Sequence, residues 1–200
     1  MKLRKAMLAL VCALALVVGS VMGTMAYLTS TTETVTNTFT VGKVGITLDE
    51  AKVTEYGVKD GDTRVIANTY KLVPGHTYVK DPTVHVANDA EASYLFVKVV
   101  DEIAAIEDKT TVADQMTTNG WVELEGVDNV YYLNRTVDKT TGDVKVFENF
   151  KVKGDADVAA YAGKTITVVA YAVQADGFAN AAAAWAAAPS TWTVPATPAQ

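Results

Sequence analysis

Leu72 to Val100, LVPGHTYVKDPTVHVANDAEASYLFVKVV, is the stretch whose reading decides the fold. Pro74-Gly75 marks a turn, after which Tyr78, Val84 and Val86 share one parity, as in a strand with a single apolar face. Pro82 cannot donate to a ladder, so this first strand is expected at a sheet edge or broken by a bulge. A polar turn, Asn88-Asp89-Ala90-Glu91-Ala92, then leads into the β-rich run Tyr94 to Val100. Leu95, Val97 and Val99 point to one side of that run and Tyr94 and Phe96 to the other, which predicts a central strand with apolar contacts on both faces. The two strands together read as a core hairpin.

Working outward, the composition extends the same pattern. Val, Thr, Ala and Tyr are abundant and long helical periodicity is scarce, so the chain reads as all-β with short helical insertions. Two strands are expected on either side of an Asp60-Gly61-Asp62 turn, Lys52 to Val58 and Thr63 to Leu72. Asp101 to Asn119 reads as a short helix in which Ile103, Ile106 and Met116 cover one end of the sheet, stopped by Asn119-Gly120. Trp121 to Leu124 and Val130 to Leu133 read as strands, and Arg135 to Phe150 as a hairpin turning at Thr140 to Asp143. One helical turn is expected before Gly163. Lys164 to Gln174, apolar on both faces, is placed beside Tyr94 to Val100 in the sheet interior.

The amino end reads differently. Lys2, Arg4 and Lys5 precede an apolar run and a small-residue end, Thr24-Met25-Ala26, the layout of a secretory signal over residues 1–26. Cleavage is expected between Ala26 and Tyr27; the alternative is an uncleaved anchor, because Ala6 to Ala26 is largely apolar. Residues 27–35 are polar and threonine-rich and read as a flexible mature start, ahead of a β-sandwich domain over 36–188 and a Pro/Thr-rich tail over 189–200. Phe39 and Val41 have odd parity and Val44, Ile46 and Leu48 even parity, so a bulge near Gly42 or Gly45 would restore one buried face.

Charge and chemistry narrow the function. All acidic residues follow Ala26, so removing three basic residues with the leader changes the formal charge from −6 to −9. An acidic surface excludes nucleic acid and anionic membrane as natural partners and leaves membrane contact to an uncleaved leader. The single cysteine, Cys12, lies in the leader, so the mature chain has neither disulfides nor thiol chemistry. His76 and His85 are separated by an odd interval, which on one continuous strand puts them on opposite faces and makes a poor metal pair. Gly163-Lys164-Thr165 lacks the first glycine of a phosphate loop, because Val158 occupies that position. Neither the Glu123/Glu125 nor the Asp155/Asp157 pair reads as more than solvated carboxylates, and Asp60 and Asp62 are too few ligands for a calcium loop. No catalytic residue, cofactor or metal is expected.

Three stretches carry a resemblance. Leu72-Val-Pro-Gly, then Val84-His-Val-Ala-Asn88 and Tyr94-Leu-Phe-Val-Lys-Val-Val100, resemble the central region of the TasA/camelysin family of exported Gram-positive proteins. Gly23-Thr-Met-Ala-Tyr-Leu-Thr29 followed by Val35-Thr-Asn-Thr-Phe-Thr-Val-Gly-Lys-Val44 is similar to the processing region of substrates of the SipW-type signal peptidase. Asp176-Gly177-Phe178 and an alanine-rich helix, Asn180 to Ala188 with Trp185 as its anchor, resemble the family's carboxyl end. The resemblance implies a jelly-roll-like β-sandwich, secreted to the extracellular matrix or cell surface of a Gram-positive bacterium. It also implies two partners: the SipW-type peptidase during export and further copies of itself in a head-to-tail fibre.

The physical route is strand addition, with Val35, Asn37, Phe39, Val41, Val44 and Ile46 as the candidate assembly strand donated to an open sheet edge. Two other readings stand beside it. One is a monomeric secreted module whose loops at Asp60, Asp108 or Asp128 bind a polysaccharide or host protein; the other is a camelysin-like metallopeptidase, for which the chain offers no His-Glu-x-x-His helix.

Overall fold

The computed structural model describes residues 43–189. Their strands are β1 (Ile46–Val53), β2 (Lys59–Val65), β3 (Thr77–Val79), β4 (Thr83–Val86), β5 (Ser93–Asp101), β6 (Trp121–Glu123), β7 (Val130–Leu133), β8 (Asp143–Lys145), β9 (Asn149–Lys151) and β10 (Ile166–Gln174). All pair antiparallel, in two four-stranded sheets ordered β2-β1-β4-β8 and β10-β5-β7-β6 and a two-stranded sheet β3-β9. The all-β expectation holds.

The deciding stretch is broken where Pro82 stands, and the break changes the sheet. β3 pairs with β9, whereas β4 lies between β1 and β8. Pro82 still accepts from Val146 N–H through its carbonyl at 2.9 Å, and Lys80 N–H reaches the Glu148 carbonyl at 3.1 Å. Residues 77–86 and 143–151 thus form one antiparallel ribbon in a single register, bent at Pro82, with Tyr78 opposite Phe150 on one side of the bend and Val84 opposite Val144 on the other.

The hairpin expected between β4 and β5 does not form. β5 lies in the other sheet, between β10 and β7, and the Asn88–Ala92 turn carries the chain across. Crossing lets Val84 and Val86 meet Leu95, Val97 and Val99 face to face in one core, together with Tyr78, Trp121, Phe147 and Phe150. Side by side in one sheet, the two apolar faces would each have needed another cover. The opposite face of β5 carries Phe96, fully buried beneath the helix Ala181–Ala186. Trp185 sits 5.2 Å from the Phe96 ring and 5.9 Å from Tyr171, which fulfils its expected anchoring role.

Other expectations are corrected by long-range pairing. Asp60-Gly61-Asp62 lies inside β2 rather than at a turn. The hairpin instead turns over Thr54–Val58, where Gly57 has φ 71° and a Cβ would come within 2.6 Å of the Tyr78 Cα. Only glycine fits that approach. The bulge falls between Ala51 and Val53, whose partners are Arg64 and Lys59, so Lys52 faces a looped-out Asp60–Thr63. It does not fall at Gly45, whose carbonyl accepts from Ala87 N–H just ahead of β1; Gly42 lies outside the described residues. Arg135 to Phe150 does not close on itself either, because β8 and β9 are claimed by β4 and β3.

The helical insertions are present but shorter than expected: within Asp101 to Asn119 a 3₁₀ turn, Ala104–Ile106, precedes a separate short helix. The helix Val112–Thr118 opens on a Thr111/Asp114 capping box and ends at Asn119, with Ile103, Ile106 and Met116 buried. Val158–Tyr161 forms one 3₁₀ turn before Gly163. No helix among the described residues is long and apolar enough to cross a membrane.

Candidate assembly groove

β10 was expected in the sheet interior, and it stands at the edge. Its nine residues pair with β5 from Ile166 opposite Asp101 to Gln174 opposite Ser93, and with no other strand among the described residues. The difference has a physical cause: apolar side chains on both faces report what covers the faces and are silent about the edges.

Which backbone groups are left over follows from the register. Ala175 N–H bonds to Ala92 O at 2.7 Å and Glu102 N–H to Thr165 O at 3.0 Å, so the odd-numbered positions of β10 face β5 in hydrogen-bonded pairs. The N–H and C=O groups of Ile166, Val168, Ala170 and Ala172 therefore point away from β5, to the side where no strand pairs among the described residues. Because side chains alternate along a strand, these same residues share the face that packs on the core shared by the two large sheets.

Beside this edge lies a groove of about 960 Å³. Ile166, Val168 and Ala170 form one wall and Leu48 and Leu72 another, with Ile103, Phe150, Val158 and Tyr161 also lining it. Ile66, 91% exposed, stands at the rim where β2 ends. It extends the apolar lining of the groove to the surface.

The same groove contains an ion pair that is nearly buried. Lys80 Nζ lies 2.6 Å from Glu50 Oε2, and the two side chains are 11% and 6% exposed. Asn68 Nδ2 donates to the other Glu50 oxygen at 2.8 Å, and Asn68 Oδ1 accepts from Val53 N–H at 3.0 Å. The Lys80 ammonium also lies 5.9 Å from the Tyr70 ring centre. Burial, with Glu50 and Asp81 nearby, pushes the Tyr70 hydroxyl far above its ordinary range, so it stays neutral while donating to Val79 O at 3.0 Å.

A charged stripe crosses the strands of the first sheet. Arg64 on β2 bonds Asp49 on β1 and also Asp81 at 3.2 Å; His85 on β4 reaches Asp49 at 2.8 Å and Asp143 on β8 at 2.6 Å. Both ring nitrogens of His85 face carboxylates, an arrangement suited to the imidazolium. The hydrogen bond to Asp49, assisted by Asp143 and opposed by burial, raises its pKa. Burial works against ionised Asp49, but Arg64 and His85 outweigh it and hold that carboxyl below its usual range.

Glu107 is the opposite case. It is 4% exposed, its Oε1 has no hydrogen-bond partner, and burial pushes it up to about 7, with Asp101 and Asp114 adding to the shift against the Val112 N–H bond at 2.9 Å.

Of the residues singled out in the sequence, Ala26, Tyr27, Val35, Asn37, Phe39 and Val41 lie outside the described residues. Val44 is 37% exposed just ahead of β1, and Ile46 opens β1 opposite Val86 within its own domain. Ile46, the last residue of the candidate assembly strand, is thus paired within its own sheet rather than available for donation. His76 donates to Tyr56 O at 2.8 Å and shares no partner with His85, and no group of three or more His, Cys, Asp or Glu side chains among the described residues could hold a metal. Of the three loop aspartates, Asp60 pairs with Lys52 at 2.8 Å and Asp108 with Lys151 at 2.7 Å, while Asp128 sits in the turn between β6 and β7. The groove itself was invisible in the sequence, because its walls come from segments 94 to 122 residues apart.

No protein-family model matches this chain, and no curated protein or solved structure matches it.

Proposed function

We propose that this chain is a secreted, non-enzymatic structural subunit of extracellular matrix or cell-surface fibres, a jelly-roll-like β-sandwich that assembles head to tail. The observation that carries this reading is the open edge of β10 alongside an apolar groove. An extended segment from the next copy can take up the N–H and C=O groups of Ile166, Val168 and Ala170 that no described strand pairs, while seating alternate side chains among Leu48, Leu72 and Ile103. Burying two or three Val or Phe side chains contributes about 1.5–3 kcal/mol each. Donor and acceptor are different surfaces of one chain, so the contact does not close on itself and builds a filament.

The donor is the segment before Lys43, with Val35, Asn37, Phe39 and Val41 as its inward face. Export supplies the control. Cleavage between Ala26 and Tyr27 by a SipW-type peptidase frees that segment outside a Gram-positive cell, and a retained leader would hold it at the membrane. The sequence resemblance to the TasA/camelysin family supports the same reading.

The test compares the chain beginning at Tyr27 with one that also lacks residues 27–41. The longer chain is expected to show concentration-dependent growth in light scattering and filaments by electron microscopy, and the shorter one to remain monomeric and fail to elongate the longer. Growth of both chains alike would refute strand addition.

A second reading rests on the groove's volume, which falls within the roughly 300–1,000 Å³ usual for ligand pockets. On that reading the chain is a monomeric secreted binding module, and it stays monomeric in both forms.

A further inference from the structure

We infer that the Lys80–Glu50 pair is a register site for the inserted strand, and that the group it receives is the carboxamide of Asn37 from a second copy. The inference rests on the strand-addition reading above.

The pair's own bonding defines what it can accept. Both Glu50 oxygens are taken, one by Lys80 and one by Asn68. The Lys80 ammonium has three N–H groups, and Glu50 is its one hydrogen-bond acceptor among the described residues. The free capacity in this part of the groove is therefore for donating, and an arriving group has to bring an oxygen. A carboxylate would add an unbalanced charge to a pair that is already neutral, in an apolar setting where such a charge is costly. A neutral amide oxygen suits the site.

The donor segment supplies one such side chain on the required face. Residues 34–41 read Thr-Val-Thr-Asn-Thr-Phe-Thr-Val. Threonines occupy every even position, and the odd positions carry Val35, Asn37, Phe39 and Val41. Alternation thus decides which face turns inward, but a slip of two residues keeps that face, and the apolar groups alone tolerate it. Asn37 removes the degeneracy. In one register it meets Lys80; displaced by two residues it is buried without a partner, while Lys80 faces Val35 or Phe39. Leaving a buried polar group unpaired costs enough to reject those alternatives, as a single buried asparagine does in coiled coils.

The absence of cysteine after the leader makes the register measurable. A labelled peptide of residues 33–43 is titrated by fluorescence anisotropy against the chain beginning at Tyr27, held at a concentration where light scattering shows single molecules. Disulfide trapping between Thr167→Cys on β10 and single cysteines at peptide positions 36, 38 or 40 then reports alignment. The natural peptide is expected to trap predominantly at one position. Asn37→Val should weaken binding about tenfold and spread trapping to positions two residues away. Asn37→Val combined with Phe39→Asn should move the trapping maximum by two residues. In a Lys80→Met/Glu50→Gln chain, the natural and Asn37→Val peptides should bind alike. Should that chain fail to fold by circular dichroism, the peptide series on the unaltered acceptor decides alone. Equal affinity and identical trapping for the natural and Asn37→Val peptides would overturn the register site and leave strand addition standing. Absence of binding and trapping by every peptide would overturn both.

Discussion

β5 and β10 are neighbours of the same length, apolar on both faces, and paired along their whole course, yet only β5 is enclosed. β5 has a strand on each side, the shared core beneath Leu95, Val97 and Val99, and a helix over Phe96. β10 has the same two covers but only one neighbouring strand among the described residues, and its side chains are mostly half-buried. Hydrophobicity on two faces describes layers, whereas interior position is a property of edges. A strand can satisfy the first and lack the second, and β10 then has backbone groups on one side that no described strand pairs.

The largest expected difference is in backbone substitution. Val169→Pro removes an N–H that bonds β5 and leaves its carbonyl partner unpaired, which should destabilise the fold by about 1–3 kcal/mol, read by urea denaturation. Val168→Pro removes an N–H at the open edge, so it should cost much less stability while abolishing filament growth. Equal destabilisation by the two prolines would show that the edge is not open. Side-chain truncation should follow the same order: Leu95→Ala, at a fully buried position, is expected to cost about 2–5 kcal/mol, and Val168→Ala under about 1.5 kcal/mol.

The remaining expectations concern pH, which acts on the frame around β5 and on the opposite sheet rather than on the edge of β10. Glu107 follows β5 and keeps its proton up to about pH 7 when folded, against an ordinary value of 4.5. The folded chain binds the extra proton between those values, so the stability tied to this group is fully present below 4.5 and is lost as pH rises to about 7. Glu107→Gln should flatten that decline and raise Tm at pH 8 by a few degrees, with no gain at pH 4; an unchanged profile would mean that the carboxyl finds solvent. His85 has the same sign. Its raised pKa gives stability that is complete below its ordinary value of 6.5 and is lost as pH climbs through the raised one. His85→Asn should remove that component, seen as a shallower fall in Tm above pH 6.5. Filament growth that tracked either titration while the fold stayed intact would tie the edge to the frame and weaken the contrast between the strands.

Much of the fold was legible in local pattern. Parity identified the buried faces of Val84, Leu95 and Val97, the Asn119-Gly120 stop was in place, and Trp185 covered the outer face as anticipated. What local pattern did not reveal was partnership. Asp60-Gly61-Asp62 has the composition of a turn but is looped out of a ladder whose register is set by Arg64 and Lys59. Thr140 to Asp143 does bend, with Thr141 N–H on Asp138 O at 2.9 Å, yet the strand that follows pairs with β4. The Lys80–Glu50 pair left no trace in sequence spacing, because its members meet only when β1 and the β3–β4 connection come together.

The bent ribbon has a consequence for how the protein can vary. Since its halves on either side of Pro82 keep one phase, a residue inserted or lost among 80–82 has to be matched by one among 146–148; otherwise Tyr78 and Phe150, or Val84 and Val144, fall out of step. The two triplets are bound to change length together, and chains that descend from this one should carry indels there in pairs or not at all.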